Sequence, residues 1–297
     1  MIEKKTISGR VFDFSNAILM LFLMLICLYP LLYITFASIS DPRWVMQQSS
    51  VILWPHDITF VAYLRVFQYE MVRSGYINTI LYTALGTIIN LLLTSLGAYG
   101  LSRKSLLLRN QMMFLIVFTM WFSGGMIPTY LTVRNLHIDN TIFAVVLPGA
   151  INTYNLIVMR TSFAGIPDSL EESAKVDGAN DFHILFRIIL PLSTPVIIVM
   201  ILFYGVSHWN AWFDAFIYLR DSKLYPLQLI LRQILIQNSY GDMMQGSGTG
   251  AGSADFVPIS VTIKYAVIIV ATLPIMCLYP FMQKHFIKGV MIGAIKG

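Results

Sequence analysis

The sequence predicts an all-α membrane protein, a single transmembrane domain over residues 1–297 built from six transmembrane helices. Three observations lead there. The chain is 57% hydrophobic and 12% charged, with mean hydropathy +0.70, whereas soluble domains carry about 25% charged residues. Six nearly uncharged runs are each long enough to supply the about 20 apolar residues that a bilayer-spanning helix needs. Lys and Arg also divide unevenly between alternate connections, in the sense of the positive-inside rule.

The first run lies between Asp13 and Asp41, the second between Arg73 and Arg103, and the third between Arg109 and Arg134. The fourth lies between Asp139 and Arg160 and the fifth between Arg187 and Asp214. The sixth extends from about Val257 to Met282 and contains Lys264 near one end, from where a long side chain can reach the headgroups. Lys4, Lys5 and Arg10 precede the first run, as in a signal peptide. That run is too long for a signal segment and no small-x-small cleavage site follows it, so it is read as retained. Placing the N-terminus inside puts Arg103, Lys104, Arg109, Arg160, Lys175 and Arg187 on the cytoplasmic face with the terminal lysines. The outer loops are longer yet hold fewer cations. Both termini are then cytoplasmic, in a multi-pass protein of the cell membrane surrounded by lipid.

Several function classes are excluded. The net charge of +5 belongs to the cytoplasmic loops, and no alternation of basic and aromatic residues marks a nucleic-acid surface. Cys27 and Cys277 fall inside runs and are read as small packing residues. The five histidines are scattered, neither HExxH nor GxSxG occurs, and no metal site or catalytic residue is expected. The glycine-rich tract Gly241–Ser253 lacks the Lys-Ser/Thr of a phosphate-binding loop. The chain is therefore not expected to be an enzyme or to hold a cofactor. No acidic residue lies in the middle of a run, which disfavours an ion-coupled secondary carrier.

The polar island Glu172–Pro191, ESAKVDGANDFHILFRIILP, interrupts the apolar runs. It reads as helix, turn, helix. Asp168 with Glu171, or Ser169 with Glu172, fits a capping box after Pro167. Leu170, Ser173, Ala174 and Asp177 share a face by three-to-four spacing. Gly178 can stop the first helix in a left-handed conformation. Asn180 or Asp181 caps a second helix with Phe182, Leu185, Phe186 and Ile189 along one side. Pro191 suits the first turn of the next span.

Glu172-Ser173-Ala174, three residues, Gly178, nine residues, then Ile188-x-Leu190-Pro191 resembles the cytoplasmic coupling loop of binding-protein-dependent ABC importer permeases, with Ser173 in place of the first Ala of Glu-Ala-Ala. Gly75–Thr79 resembles the sugar-permease branch, and Gln283, Lys284, Phe286, Gly289, Gly293, Lys296 and Gly297 resemble the tail of maltose-type permeases. The resemblance implies a type I ABC importer permease fold, with a coupling loop at about 164–190, a long outer loop at about 214–256 and a cytoplasmic tail at about 283–297. It implies Glu172, Ser173, Ala174, Asp177 and Gly178 as the residues that engage an ATPase. It also implies a second permease chain in a heterodimer, two cytoplasmic ATPase subunits that bind the ATP and Mg, an extracellular or periplasmic solute-binding protein, and a carbohydrate substrate.

Polar residues within spans are costly and usually face a bundle interior or a water path. Asn90, Asn152, Asn155, His208, Asn210 and Asp214 are of this kind, with Tyr204, Trp209 and Trp212 nearby. Asn152, Asn155, Tyr204, Trp209 and Asn210 are the candidates for a substrate path, because sugars offer C–H faces to aromatics and hydroxyls to amides. Helix–helix hydrogen bonding with an outer aromatic belt is the other reading. An ABC permease for a non-sugar solute also stays open. In the outer loops, the aromatics Trp44, Trp54, Phe60, Tyr63, Phe67 and Tyr69 read as an interfacial belt or a dock for the binding protein. Leu224–Gln237 is expected as an interfacial helix, followed by a flexible tether over Gly241–Ser253.

Overall fold

The computed structural model describes residues 7–48, 51–245, 261–278 and 280, and among them every regular element is helical. The tail at 283–297, the tract beyond Gln245 up to Ser260, and Lys4 and Lys5 lie outside the described residues. The chain divides into two compact units, residues 1–69 with 233–272 and residues 70–232 with 273–297.

In the first unit, α1 (Ile7–Ile39) is apolar on all sides, and its most apolar stretch buries nothing within the chain. Only its last turns enter a core, where Ala37 is fully buried with Val45 and Ile52. Tyr33 and Tyr265 meet edge-on there at 5.9 Å. The next helix, α2 (Pro42–Gln47), has Pro at its start, and the Asp41 carboxylate accepts from the Arg43 and Trp44 amides at 2.9 and 3.1 Å. A hydrogen bond of 2.8 Å between the Ser38 and Tyr63 hydroxyls ties α3 (Val61–Gln68) to α1. Among the aromatics between Asp41 and Arg73, Trp54, Phe60, Phe67 and Tyr69 are exposed. Trp44 is half-buried and stacks on His56 at 5.0 Å.

The second unit is built on α4 (Glu70–Ser102), an unbroken helix long enough to cross a membrane. The three runs that follow it are broken where single helices are expected. α5 (Arg109–Trp121) and α6 (Met126–Asn135) meet at 113° across a segment ending in Ser123-Gly124-Gly125. α7 (Ile142–Val146) and α8 (Thr153–Ala164) are separated by a stretch containing Pro148-Gly149. After α9 (Asp168–Val176) come α10 (Asp181–Ile184), a π turn (Leu185–Ile189) and α11 (Leu190–Leu192). These run into α12 (Thr194–Asn210) through a bend of 88° at Ser193, between Pro191 and Pro195. Counting uncharged residues measures apolarity and misses the Gly and Pro that interrupt the hydrogen-bond ladder. Among the described residues, three helices meet the length for a crossing, or up to five if each bent pair is one span.

α13 (Phe213–Tyr218) is followed by a 3-10 turn (Ser222–Leu224), α14 (Leu227–Gln245) and the last long helix, α15 (Val261–Leu278). The start of α14 does not lie in the interface as expected. Leu227, Leu229 and Ile230 are buried to 1% or less exposure. The Leu227 amide donates to the Thr79 hydroxyl at 2.8 Å, and Asn78 Nδ2 donates to the carbonyls of Lys223 and Tyr225 at 2.6 and 3.1 Å. The segment Gly75–Thr79 is thus the seat of the start of α14 and the turn before it. Gly241–Gln245, expected to begin a tether, continues α14. The main core of this unit joins α4, α8, α12 and the segment after Gly178 through Ala98, Leu156, Met159, Phe163, Ile184, Leu185, Ile189 and Met200.

Candidate functional site

Two features of the second unit carry chemistry, the turn at Gly178 and a cavity between α4, α8 and α12. At the turn, the chain leaves α9 with Gly178 at φ +84°. Its amide donates to the Lys175 carbonyl at 3.0 Å and that of Ala179 to Ala174 at 2.9 Å. This is the paired hydrogen-bond pattern of a left-handed helix stop. Asn180 then caps the second helix, its Oδ1 accepting from the His183 amide at 2.8 Å. Two expectations fail here. No capping box forms at the start of α9, where Pro167 is the boundary residue, because Asp168 and Glu171 are both held by cations instead. The stripe on the second helix also splits. Leu185 and Ile189 are buried, whereas Phe182 is 66% exposed and Phe186 is exposed as well. The π turn adds a residue per turn and rotates the face, so Ile184 takes the inner position.

The residues expected to engage an ATPase are gathered on one surface. Glu172, Ser173, Asp177 and Gly178 are exposed and Ala174 is half-buried. Beside them lies a groove of about 420 Å³ lined by Ala174, Asp177, Gly178, Ala179, Asn180, His183 and Ile188. Val176 stands 87% exposed next to it. An open surface with two exposed carboxylates, Glu172 and Asp177, a shallow groove and apolar tips has the composition of a protein-docking face rather than a small-molecule site.

Sequence reasoning missed what holds this surface in place. Arg103, one residue past α4, is only 9% exposed and Glu171 only 8%. The Arg103 Nη1 donates to Glu171 Oε2, Nη2 to the Phe163 carbonyl at 3.0 Å, and Nε to the Ser102 hydroxyl at 2.9 Å. Lys175 Nζ donates to Glu171 Oε1 at 2.8 Å and lies 3.4 Å from Asp181. Burial pushes the Glu171 carboxyl up, but hydrogen bonds from Lys175 and Arg103 outweigh it and hold the group below its ordinary value. A bond from Lys104 at 2.7 Å lowers the exposed Asp168 in the same way. The residues of this ion pair stand 68 apart in sequence. The available signal was a cation directly after an apolar span.

The cavity measures about 720 Å³. Asn90 on α4, Asn152 and Asn155 at the start of α8, Tyr204, Ser207 and His208 on α12, and Asp214 supply its polar lining. Asn152 caps α8, its Oδ1 accepting from the Asn155 amide at 3.1 Å. The Tyr204 hydroxyl lies 2.8 Å from that of Thr94 and accepts from the Asn152 amide at 3.3 Å, joining three helices at one oxygen. Asn90 donates to the Gly149 carbonyl at 3.2 Å and faces His208 Nε2 at 3.4 Å. The imidazole fits because residue 86 is glycine: a Cβ there would stand 2.5 Å from His208 Nε2.

Of the five substrate-path candidates, Asn152, Asn155 and Tyr204 line the cavity, and Trp209 and Asn210 do not. Trp209 is buried against the edge of Tyr76 at 6.0 Å, and Asn210 is exposed. Trp212 lies under the Arg232 guanidinium at 3.8 Å. The i, i+4 spacing of Tyr204 and His208 identifies the inward face of α12, from which 209 and 210 turn away. Among the described residues, no group of three His, Cys, Asp or Glu could hold a metal ion.

Comparison with known proteins adds independent findings. Residues 92–292 match the family model described as "binding-protein-dependent transport system inner membrane component". The chain is 44% identical to the polygalacturonan/rhamnogalacturonan transport system permease protein YtcP of Bacillus subtilis (strain 168), over 97% of this chain and 99% of that protein. It is 42% identical to protein LplC of the same organism, over 98% and 97%. A crystal structure of a bacterial ABC transporter involved in the import of the acidic polysaccharide alginate contains a chain with TM-score 0.84 and 34% identity, covering 95% of this chain and 99% of that one.

Proposed function

The chain belongs to the inner membrane components of binding-protein-dependent transport systems, and from that premise we propose that it forms part of the translocation path for a carbohydrate, an oligosaccharide or polysaccharide fragment. The cavity on α4, α8 and α12 is its share of the path. The exposed face of α9 and the Gly178 turn receives an ATPase subunit, with Glu172 offered to a basic group and Ser173, Ala174, Asp177 and Gly178 forming the contact. In this reading 1–297 is one permease domain. The six apolar runs are six crossings, three of them broken, and both termini are cytoplasmic. A second permease chain completes the path, two ATPase subunits bind and hydrolyse ATP with Mg, and a solute-binding protein delivers the sugar.

The observation that carries this reading is that α4 and α8 serve both features. Asn90, Asn152 and Asn155 lie at the cavity, and Arg103 and the Phe163 carbonyl lie at the seat of α9. Closure of an ATPase pair on α9 therefore has a direct route to the groups around the solute. The lining suits saccharide hydroxyls, with amide, hydroxyl and imidazole groups and one carboxylate in a space large enough for sugar rings.

Uptake by the complete transporter tests the assignment. Vesicles containing this chain, its second permease, the ATPase and the binding protein should accumulate a labelled oligosaccharide with ATP inside and should ignore labelled amino acids. Accumulation of an amino acid and no saccharide would refute the carbohydrate assignment and favour a non-sugar permease.

A further inference from the structure

A buried charge cluster seats the nine-residue helix α9 against the end of α4. Arg103 links four backbone or side-chain groups: its own helix through Ser102, the end of α8 through the Phe163 carbonyl, α9 through Glu171, and the face of Tyr99 at 5.2 Å. From Glu171 the alternation of charge continues to Lys175 and on to Asp181 at the start of the second arm. Positive and negative groups thus form one chain from the last turn of α8 to both arms of the turn. Its inner pair is nine-tenths buried, which keeps it out of solvent screening. Loss of Arg103 leaves Glu171 paired with Lys175 alone, so the link from α9 to α4 and α8 is cut while the carboxylate keeps a counter-charge.

The same cluster sits across the only covalent link between α8 and α9 in this region, Gly165-Ile166-Pro167, a segment that could otherwise bend. We propose that Arg103, with Glu171 and Lys175, is a positioning latch that makes α4, α8 and α9 move as one body. A displacement of α9 is then delivered to the cavity rather than absorbed at Gly165–Pro167. Along a helix of 1.5 Å rise per residue, Arg103 lies about 20 Å from Asn90, and Phe163 about 17 Å from Asn152. The latch is therefore where a push at the cytoplasmic face enters the two helices that carry Asn90 and Asn152. The proposal rests on α9 being the ATPase dock.

The test uses the assembled complex and no substrate. In a background with Cys27→Ser and Cys277→Ser, Ile151→Cys places one thiol at the cavity. Its rate of labelling by a water-soluble maleimide is measured with and without ATP and vanadate. Retention of the ATPase on an affinity-tagged chain is measured in parallel. With Arg103 present, the nucleotide should change the labelling rate. In Arg103→Gln, the ATPase should be retained while the nucleotide-dependent difference becomes about tenfold smaller, within the usual range of coupling between sites. Arg103→Lys can pair with Glu171 but cannot also reach the Phe163 carbonyl, and should fall between the two. Glu171→Gln, the milder change, should resemble Arg103→Gln. A full nucleotide response in Arg103→Gln or Glu171→Gln with the ATPase bound would overturn the latch. Loss of the ATPase from all three variants would overturn it too, since the cluster would then only fold the dock. Failure of the parent chain to retain the ATPase would instead overturn the reading of α9 on which the proposal stands.

Discussion

Replacement of Gly178 isolates the contribution of one backbone angle. Its φ of +84° lies where side-chain-bearing residues are disfavoured, and a Cβ built there meets nothing within 4 Å. The cost of a substitution within the chain is therefore backbone strain alone, without collision. For an ordinary residue such as Ala that cost is about 1–2 kcal/mol. It is higher for a β-branched residue and lower for Asn, which visits this region several times more often. One to two kcal/mol corresponds to roughly 5–30-fold in the population of the native turn. The two hydrogen bonds that close the turn, from the amides of Gly178 and Ala179, are lost from the remainder. The expected order for binding-protein-stimulated ATP hydrolysis in reconstituted complexes is Gly178 close to Gly178→Asn, then Gly178→Ala, then Gly178→Val. All four chains should insert in the membrane in equal amounts. Asn is larger than Ala, so an Asn variant worse than the Ala variant would show that space at the partner, not the backbone angle, decides. Equal coupling in all four would refute the reasoning altogether.

Three further outcomes follow from the same geometry. Glu172 is exposed in the chain by itself, so Glu172→Lys should leave thermal stability within about 0.5 kcal/mol. Its loss of ATPase affinity should approach roughly 3–5 kcal/mol if the partner desolvates the carboxylate, and about 0–1 kcal/mol if it does not; titration of the ATPase onto the solubilised complex distinguishes the two, and tighter binding would sink the assignment. Gly86→Ala should drive the imidazole of His208 from Asn90 and cut transport at least tenfold while ATPase retention is unchanged, whereas Asn210→Ala, off the cavity, should transport normally; the reverse ranking would show that the path lies elsewhere. Glu171 has its carboxyl held below the ordinary value, so its contribution is complete above that ordinary value and disappears as pH falls through the lowered one; hydrogen-exchange protection of α9, corrected for intrinsic rates, should be flat from pH 7 to 6 and fall only under acid conditions, and loss between pH 7 and 6 would contradict the sign.

Much of the turn after α9 was legible in the sequence because its determinants are local. Gly178 and Asn180 act over three to five residues, and the structure places them as capping chemistry requires. The same rules misled at Asp168, where a capping box with Glu171 fits the pattern but Lys104 and Arg103 claim the two carboxylates first. No local rule weighs a partner more than sixty residues away. The cavity was half legible. Amide and aromatic residues in apolar runs pointed to α8 and α12, but without a helical phase Trp209 and Asn210 were grouped with Tyr204, although they lie on other faces. His208 and Asn90 were visible as polar intrusions, and their pairing across α4 and α12 was not. The broken runs were written as Gly124-Gly125, Pro148-Gly149 and Pro191 with Pro195, punctuation that a count of charges ignores.

Those interruptions and the cavity are in part the same residues. Gly149, Ile151 and Asn152 lie in the gap between α7 and α8, Ala211 lies in the gap after α12, and all four line the chamber. Backbone outside a helix leaves amides and carbonyls without intrahelical partners, and lipid cannot supply them. Asn90 and Tyr204 satisfy the Gly149 carbonyl and the Asn152 amide, and the groups left over are wet whenever no solute covers them. A chamber that holds water in a membrane sustaining a voltage is a short circuit unless one end stays shut. Each elementary charge that slipped through would dissipate about 2.3 kcal/mol per 100 mV. The irregular backbone that makes room for a solute therefore also sets an electrical requirement: the two mouths of the path must never stand open together, so a variant that loosens either seal should show itself first as an ion leak and only afterwards as a loss of uptake.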